Sequence, residues 1–156
     1  LFETAKTALS QNFLPDVIST DIHTGSICDP VRSLPETASK LLNLGIALPD
    51  IVNQTTTAAA RSIGRESELG TLKTGTVADL AAFNIQEGEF QFHDVRDNLQ
   101  MGQKNIQPFL TVRKGKTYRP ADVQEELDEN IKRAYGMRAL VSRQYEKLGW
   151  TPKKTR

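Results

Sequence analysis

Asp21 lies near the end of the run Asp16-Val17-Ile18-Ser19-Thr20-Asp21-Ile22-His23, just ahead of a loop that holds Gly25, Asp29 and Pro30. A carboxylate in that place is either a strand-end turn residue or an acid–base group with access to solvent. Ser19 and Thr20 flank it, and either hydroxyl can position it or simply belong to a β-prone run. His23 lies two residues on, as a pocket-lining side chain or as a loop histidine. Arg32 follows in the same loop, where a guanidinium can hold a substrate carboxylate or stay solvated. The remaining candidates are sparse. His93 reads as structural. Asp79 sits in an apolar pattern and is expected to be buried, pairing backbone N–H groups at a turn. A catalytic zinc normally takes three protein ligands plus water. With only two histidines, far apart, the sequence shows no such set.

The elements that must carry these residues are short. Residues 3–11 suit a helix with Ala5 and Leu9 inward. Residues 17–20 form a β-prone run, read here as a strand that Asp21 closes. Ser33-Leu34-Pro35-Glu36 is a capping box, so a helix begins there and runs to about Leu44, where Gly45 stops it. Pro49 opens a second helix. Thr55-Thr56-Thr57 interrupts it, because three β-branched residues in a row are poor helix formers. Thr57 can cap a last short helix that Gly64 ends. From residue 68 glycines punctuate predicted strands at 78–84, 89–93 and 106–112, and Arg113-Lys114-Gly115-Lys116 reads as a hairpin turn into Thr117-Tyr118. Residues 123–148 show one apolar stripe, through Val123, Leu127, Ile131, Val141, Tyr145 and Leu148, and predict a long amphipathic helix. That stripe is expected to pack within the chain or on a second copy, so a homo-oligomer stays open.

Composition bounds the function. The chain has 156 residues, and 20 basic against 19 acidic ones give a net charge of +1. That is no footprint for nucleic acid. No apolar run approaches the roughly 18 residues of a membrane span. The lone Cys28 cannot form an internal disulfide, which fits a reducing, cytoplasmic compartment. A complete (β/α)8 barrel needs roughly 250 residues, so the chain is read as a fragment of a longer polypeptide.

Residues 15–118 resemble the metal-dependent amidohydrolases, and within them the deacetylase group related to dihydroorotases. The run "PDVISTDIHT" is similar to the eighth barrel strand. "SLPETASKLLNLGIALPDIVNQTTTAAARSIG" is similar to the helices after it, and "GTLKTGTVADLAAFNI" to the return into a small β-sandwich. The resemblance implies an α/β fold: the C-terminal part of a TIM barrel at 1–66, a β-sandwich portion at 67–119, and a C-terminal helical extension at 120–156. It also implies a mechanism. A metal-bound hydroxide attacks a C–N or acyl-ester carbonyl of a small-molecule substrate. Asp21 ligates a divalent metal, expected to be zinc, takes the proton from the attacking water and passes it to the leaving group. His23 and Arg32 would line the substrate site. The other ligands of that family, an H-x-H pair, a carboxylated lysine and two further histidines, do not occur here. Two readings therefore stand. The chain is part of a metal-dependent hydrolase whose other ligands lie elsewhere, or it is a non-catalytic remnant or association module. Upstream sequence bearing an H-x-H pair would decide between them.

Overall fold

A computed structural model describes residues 1–23 and 33–122, together with 129, 132, 133 and 136. Four helices come first: α1 (Phe2–Ser10), α2 (Leu34–Asn43), α3 (Leu48–Thr55) and α4 (Thr57–Ser62). A three-stranded antiparallel sheet follows, in the order β1 (Leu80–His93), β2 (Leu99–Arg113), β3 (Lys116–Tyr118). The architecture is α/β.

Local sequence explains where each helix starts and stops. Ser33 Oγ accepts the Glu36 N–H at 3.2 Å, the hydrogen bond its capping box requires, and the Glu36 carboxylate lies 3.2 Å from Lys40 Nζ one turn on. At the other end Gly45 takes φ +106. The Gly45 N–H then reaches Leu42 O at 3.1 Å and the Ile46 N–H reaches Leu41 O at 3.2 Å, closing a Schellman motif. Gly64 closes α4 in the same way, with Arg65 N–H on Ala60 O at 2.9 Å. α1 does so with Asn12, a residue type that tolerates the left-handed region. The helix of residues 49–63 breaks at Thr56, as three successive threonines predict. Thr57 does not cap α4, however. It is the first helical residue, and its hydroxyl donates to Gly70 O at 2.8 Å.

The sheet differs from expectation in length. Residues 80–93 form one strand instead of two, and β2 begins at Leu99, seven residues before the predicted start. Two irregularities break the ladder: Gly88 and Glu89 stand opposite Gln103, and Phe109 is the extra residue between the Ala82↔Leu110 and Phe83↔Pro108 pairs. The second lies beside Pro108, which has no N–H to give a ladder. The Arg113–Lys116 turn forms as predicted and joins β3 to Thr111–Arg113.

One core joins these parts. Ile18, Ala38, Ile46, Ile51 and Ile106 are buried together, with Leu9, Leu41, Leu42, Leu48, Phe83 and Ile85 against them. Each fully buried aliphatic side chain contributes roughly 1.5–3 kcal/mol. Polar contacts then lock α2 to β2. Ser39, wholly buried, accepts the Ile106 N–H at 2.8 Å through its hydroxyl. Asn43, one turn along, accepts the Gln103 and Lys104 N–H groups at 2.8 and 3.0 Å and donates to Lys104 O at 2.6 Å. β3 reaches only as far as Thr111, so at 103–106 these side chains satisfy the strand edge that would otherwise lie open. Gly102 permits the approach, because a Cβ there would stand 2.6 Å from Asn43 Cγ and 2.7 Å from Phe92 Cε2.

Most of the predicted helix at 123–148, including every residue of its apolar stripe, lies outside the described residues. The residues described in that part of the chain are helical, and a helical turn begins at Pro120, where Asp122 Oδ2 accepts the Arg119 N–H at 2.7 Å.

Candidate functional site

The run that carries Asp21 is extended but is not a strand. From Phe13 to His23 no ladder forms, which corrects the strand read at 17–20. The physical reason is pairing: a strand is defined by neighbours, and among the described residues no other strand lies beside this one. The run is held instead by the helices. Ile18 fills the core, and its N–H donates to Gln54 O at 3.2 Å. Gln54 Nε2 donates to Pro15 O at 2.7 Å. Beyond this anchor the chain turns outward. Asp21 has φ +51, and the Ile22 N–H donates back to Thr20 Oγ1 at 3.3 Å. An aspartate accepts the left-handed region at modest cost, and such conformations collect at functional sites. Asp21, Ile22 and His23 are all exposed. Asp21 is therefore at the surface and does not enter the core. Of its two neighbours, Thr20 shapes the turn while Ser19 lines a cleft. Arg32 lies outside the described residues.

Two apolar clefts flank the helices. One, of about 470 Å³, lies between α1 and the Asp21 run, with Leu9, Phe13, Val17, Leu41 and Ile46 on its walls. The other, of about 1000 Å³, lies between α2, α3 and the hairpin, with Leu34, Val52, Leu72, Phe83 and Pro108 on its walls. Neither Asp21 nor His23 lines either cleft. No group of three His, Cys, Asp or Glu side chains that could hold a metal occurs among the described residues. No described helix is long and apolar enough to cross a membrane.

The hairpin holds the residues that sequence reasoning missed. Asp94 is buried at the β1–β2 turn. Its Oδ1 accepts the N–H groups of Arg96 and Asn98 at 2.9 and 3.1 Å, and Oδ2 accepts the Phe2 N–H at 3.0 Å. The Asn98 carboxamide donates to both oxygens. Burial alone would raise the carboxyl pKa, but these hydrogen bonds outweigh it and hold Asp94 well below the usual carboxylate range. Asp94 thereby caps α1, whose own N-cap Leu1 offers no side-chain bond. The signal available in sequence was Asp94-Val95-Arg96-Asp97-Asn98, an Asx-turn pattern between two polar stretches. His93 Nδ1 lies 2.7 Å from Asp97 Oδ1, so this histidine belongs to the same turn. Asp79 does pair a backbone N–H at a turn, that of Lys114 at 2.6 Å, but it is exposed where burial was expected. Leu80 and Ala81 beside it are exposed too, so the apolar pattern there does not mark a buried strand.

Comparison with known proteins places this geometry. No protein-family model matches the chain. A protein named deacetylase from Enterococcus faecalis is 33% identical over 118 residues, which is 75% of this chain and 32% of that protein. A deacetylase of Agrobacterium fabrum is 29% identical over 111 residues, 71% of this chain and 27% of that one. Among solved structures, an adenine deaminase superposes with a TM-score of 0.72 at 32% identity, over 76% of this chain and 32% of its own. A dihydroorotase superposes with a TM-score of 0.69 at 27% identity, over 76% and 31% respectively. The chain thus spans about a third of the length of the proteins it matches. Over roughly three quarters of its own length the chain is amidohydrolase-like, similar to proteins named deacetylase and to a solved adenine deaminase and dihydroorotase.

Proposed function

We propose that the chain forms part of a metal-dependent hydrolase that cleaves an amide, N-acyl, cyclic amide or acyl-ester bond of a small molecule, with Asp21 as acid–base group and as one ligand of a divalent ion, zinc in the first instance. In this reading 1–66 is the end of a (β/α)8 barrel, 67–119 belongs to a small β-sandwich and 120–156 is an added helical segment. The other metal ligands come from sequence outside the described residues. A divalent ion bound there lowers the pKa of water and polarises a carbonyl.

The observation that carries the proposal is the placement of Asp21. It is exposed, held at φ +51, and lies three residues beyond a side chain locked into the core. Such a carboxylate is anchored through Ile18 and exposed to solvent. It can accept a proton from attacking water and return it to a departing nitrogen or oxygen. The relatives support a hydrolase of this type: two are named deacetylases, and the superposable structures are an adenine deaminase and a dihydroorotase.

The test uses the longest native polypeptide that carries this sequence. Metal content is measured first, then turnover on N-acetyl amino acids, O-acetyl esters and cyclic amides. Asp21→Asn should leave the fold intact and lower turnover by about 10²-fold or more, as loss of an acid–base group does. Near-normal turnover in a metal-loaded variant would remove Asp21 from this role. A native polypeptide with neither metal nor turnover would favour an association module instead.

A further inference from the structure

We propose that Gln54 is a positioning residue for Asp21: its carboxamide clamps the Asp21-bearing run to α3. The proposal rests on the reading of Asp21 given above.

Gln54 is the penultimate residue of α3 and only 6% exposed. It holds the run twice. Its Nε2 donates to Pro15 O at 2.7 Å, and its backbone carbonyl accepts the Ile18 N–H at 3.2 Å. Among the described residues, these are the two hydrogen bonds that tie residues 14–20 to the rest of the protein. Between them they set both the height and the rotation of the run on the helix. Ile18 completes the anchor, because it packs beside Ile51, which precedes Gln54 by one turn of α3. Asp21 follows three residues later, with no strand ladder to fix it.

The chemistry of the side chain points the same way. Gln54 Oε1 is buried and has no hydrogen-bond partner among the described residues. Leaving a buried acceptor unpaired costs stability. Methionine has the same length and would fill the space without that cost. Packing therefore does not call for a carboxamide here, whereas the donor nitrogen is used, and used on the run that leads to Asp21. The orientation of the amide is also fixed, since the Pro15 carbonyl can be met only by a donor. An acid–base group displaced by about 1 Å can lose about 10²-fold in rate, so a remote clamp of this kind has catalytic consequences.

The experiment compares wild type, Gln54→Met and Gln54→Glu in the longest native polypeptide carrying the sequence. Two readouts are taken: amide hydrogen exchange in peptides covering 15–23 and 36–46, and kcat and KM on the best substrate among N-acetyl amino acids, O-acetyl esters and cyclic amides. Gln54→Met should raise exchange at 15–23 by about tenfold or more and leave 36–46 unchanged. The kcat value should fall about tenfold or more while KM holds. Gln54→Glu should lose protection at 15–23 near pH 8 and regain part of it toward pH 5, relative to wild type at the same pH, because only the protonated acid can donate to Pro15 O. Unchanged exchange at 15–23 in both variants overturns the clamp. Raised exchange with unchanged kcat, while Asp21→Asn is inactive, overturns its positioning role. Normal turnover by Asp21→Asn overturns the reading of Asp21 instead, and the exchange data then judge the clamp alone. Should Gln54→Met not fold, the Gln54→Glu series decides by itself.

Discussion

Replacing Asp94 by Asn should expose how much of the fold depends on one carboxylate. Asp94 accepts three backbone N–H groups and a doubly donating carboxamide, and one of those N–H groups is the start of α1, from 92 positions earlier in the chain. In the variant one oxygen becomes a donor. Whichever way the amide turns, a donor must meet either Phe2 N–H or the N–H groups of Arg96 and Asn98. A charge-assisted hydrogen bond of this kind is worth about 1.5–3 kcal/mol. Loss of the negative charge at the α1 N-terminus removes about 0.3–1 kcal/mol more. The expected cost is therefore about 2–4 kcal/mol at neutral pH. The pH dependence gives a second check. Asp94 titrates well below an ordinary carboxylate, so its folded pKa is depressed. Its contribution is fully present above the unfolded value, about 3.9, and is lost as pH falls from there through the folded value. Urea denaturation of wild type and Asp94→Asn at a series of pH values is the assay. The difference between them should stay constant from about pH 7 to 5 and shrink below about 4. A difference under about 0.5 kcal/mol at pH 7, or one that does not shrink in acid, would refute the assignment of Asp94 as the remote cap of α1.

The other predictions concern the seam between helices and hairpin, and the metal. Gly102→Ala should destabilise the protein by about 1–3 kcal/mol, since its Cβ would stand 2.6 Å from Asn43 Cγ, and a shift in the urea midpoint reads this directly. Asn43→Leu should cost about 1–3 kcal/mol, because it removes two hydrogen bonds to the Gln103 and Lys104 N–H groups, and hydrogen exchange should speed up at those two amides before it does at Ile106. The 156-residue chain alone should keep no stoichiometric zinc after dialysis against a mild chelator, by elemental analysis, given that its described residues gather no three ligands.

Where sequence reading succeeded, the determinant was local. Ser33 and Glu36 lie three residues apart, Gly45 and Gly64 act on their own helix ends, and the Arg113–Lys116 turn closes on itself. Where it fell short, the determinant lay far along the chain or in solvent. Residues 85–88 and 99–105 carry few apolar side chains and are largely exposed, so they give little strand signal, and the hairpin was read as shorter than it is. Asn43 looks like an ordinary helix-end residue until β2 is brought beside it from 60 positions away. The run at 17–20 has the composition of a strand, but pairing makes a strand, and composition cannot report who the neighbours are. Asp21 was legible as an exposed carboxylate after an apolar run; Gln54, which holds that run, was not, because its partners are carbonyl and amide groups 36 and 39 positions earlier.

These contacts form a single chain of support for the candidate site. Asp94 ties the hairpin to α1. Asn43 and Ser39 tie the hairpin to α2. The cluster of Ile18, Ala38, Ile46, Ile51 and Ile106 then joins β2, α2, α3 and the Asp21 run in one core, and Gln54 sets the run on α3. The order matters energetically. Apolar burial supplies most of the favourable free energy but has no direction, so by itself it would let the run slide or rotate on the helices. The directional contacts are few, each worth about 1 kcal/mol net, and they are placed where a backbone has no ladder of its own: the β2 edge at 103–106, the start of α1, and residues 15–18. Asp21 sits at the end of the last of these. The run that leads to it is held by the two Gln54 hydrogen bonds and by Ile18, so a substitution far from it, in the hairpin or on α2, can reach that run through the core that Ile18 shares.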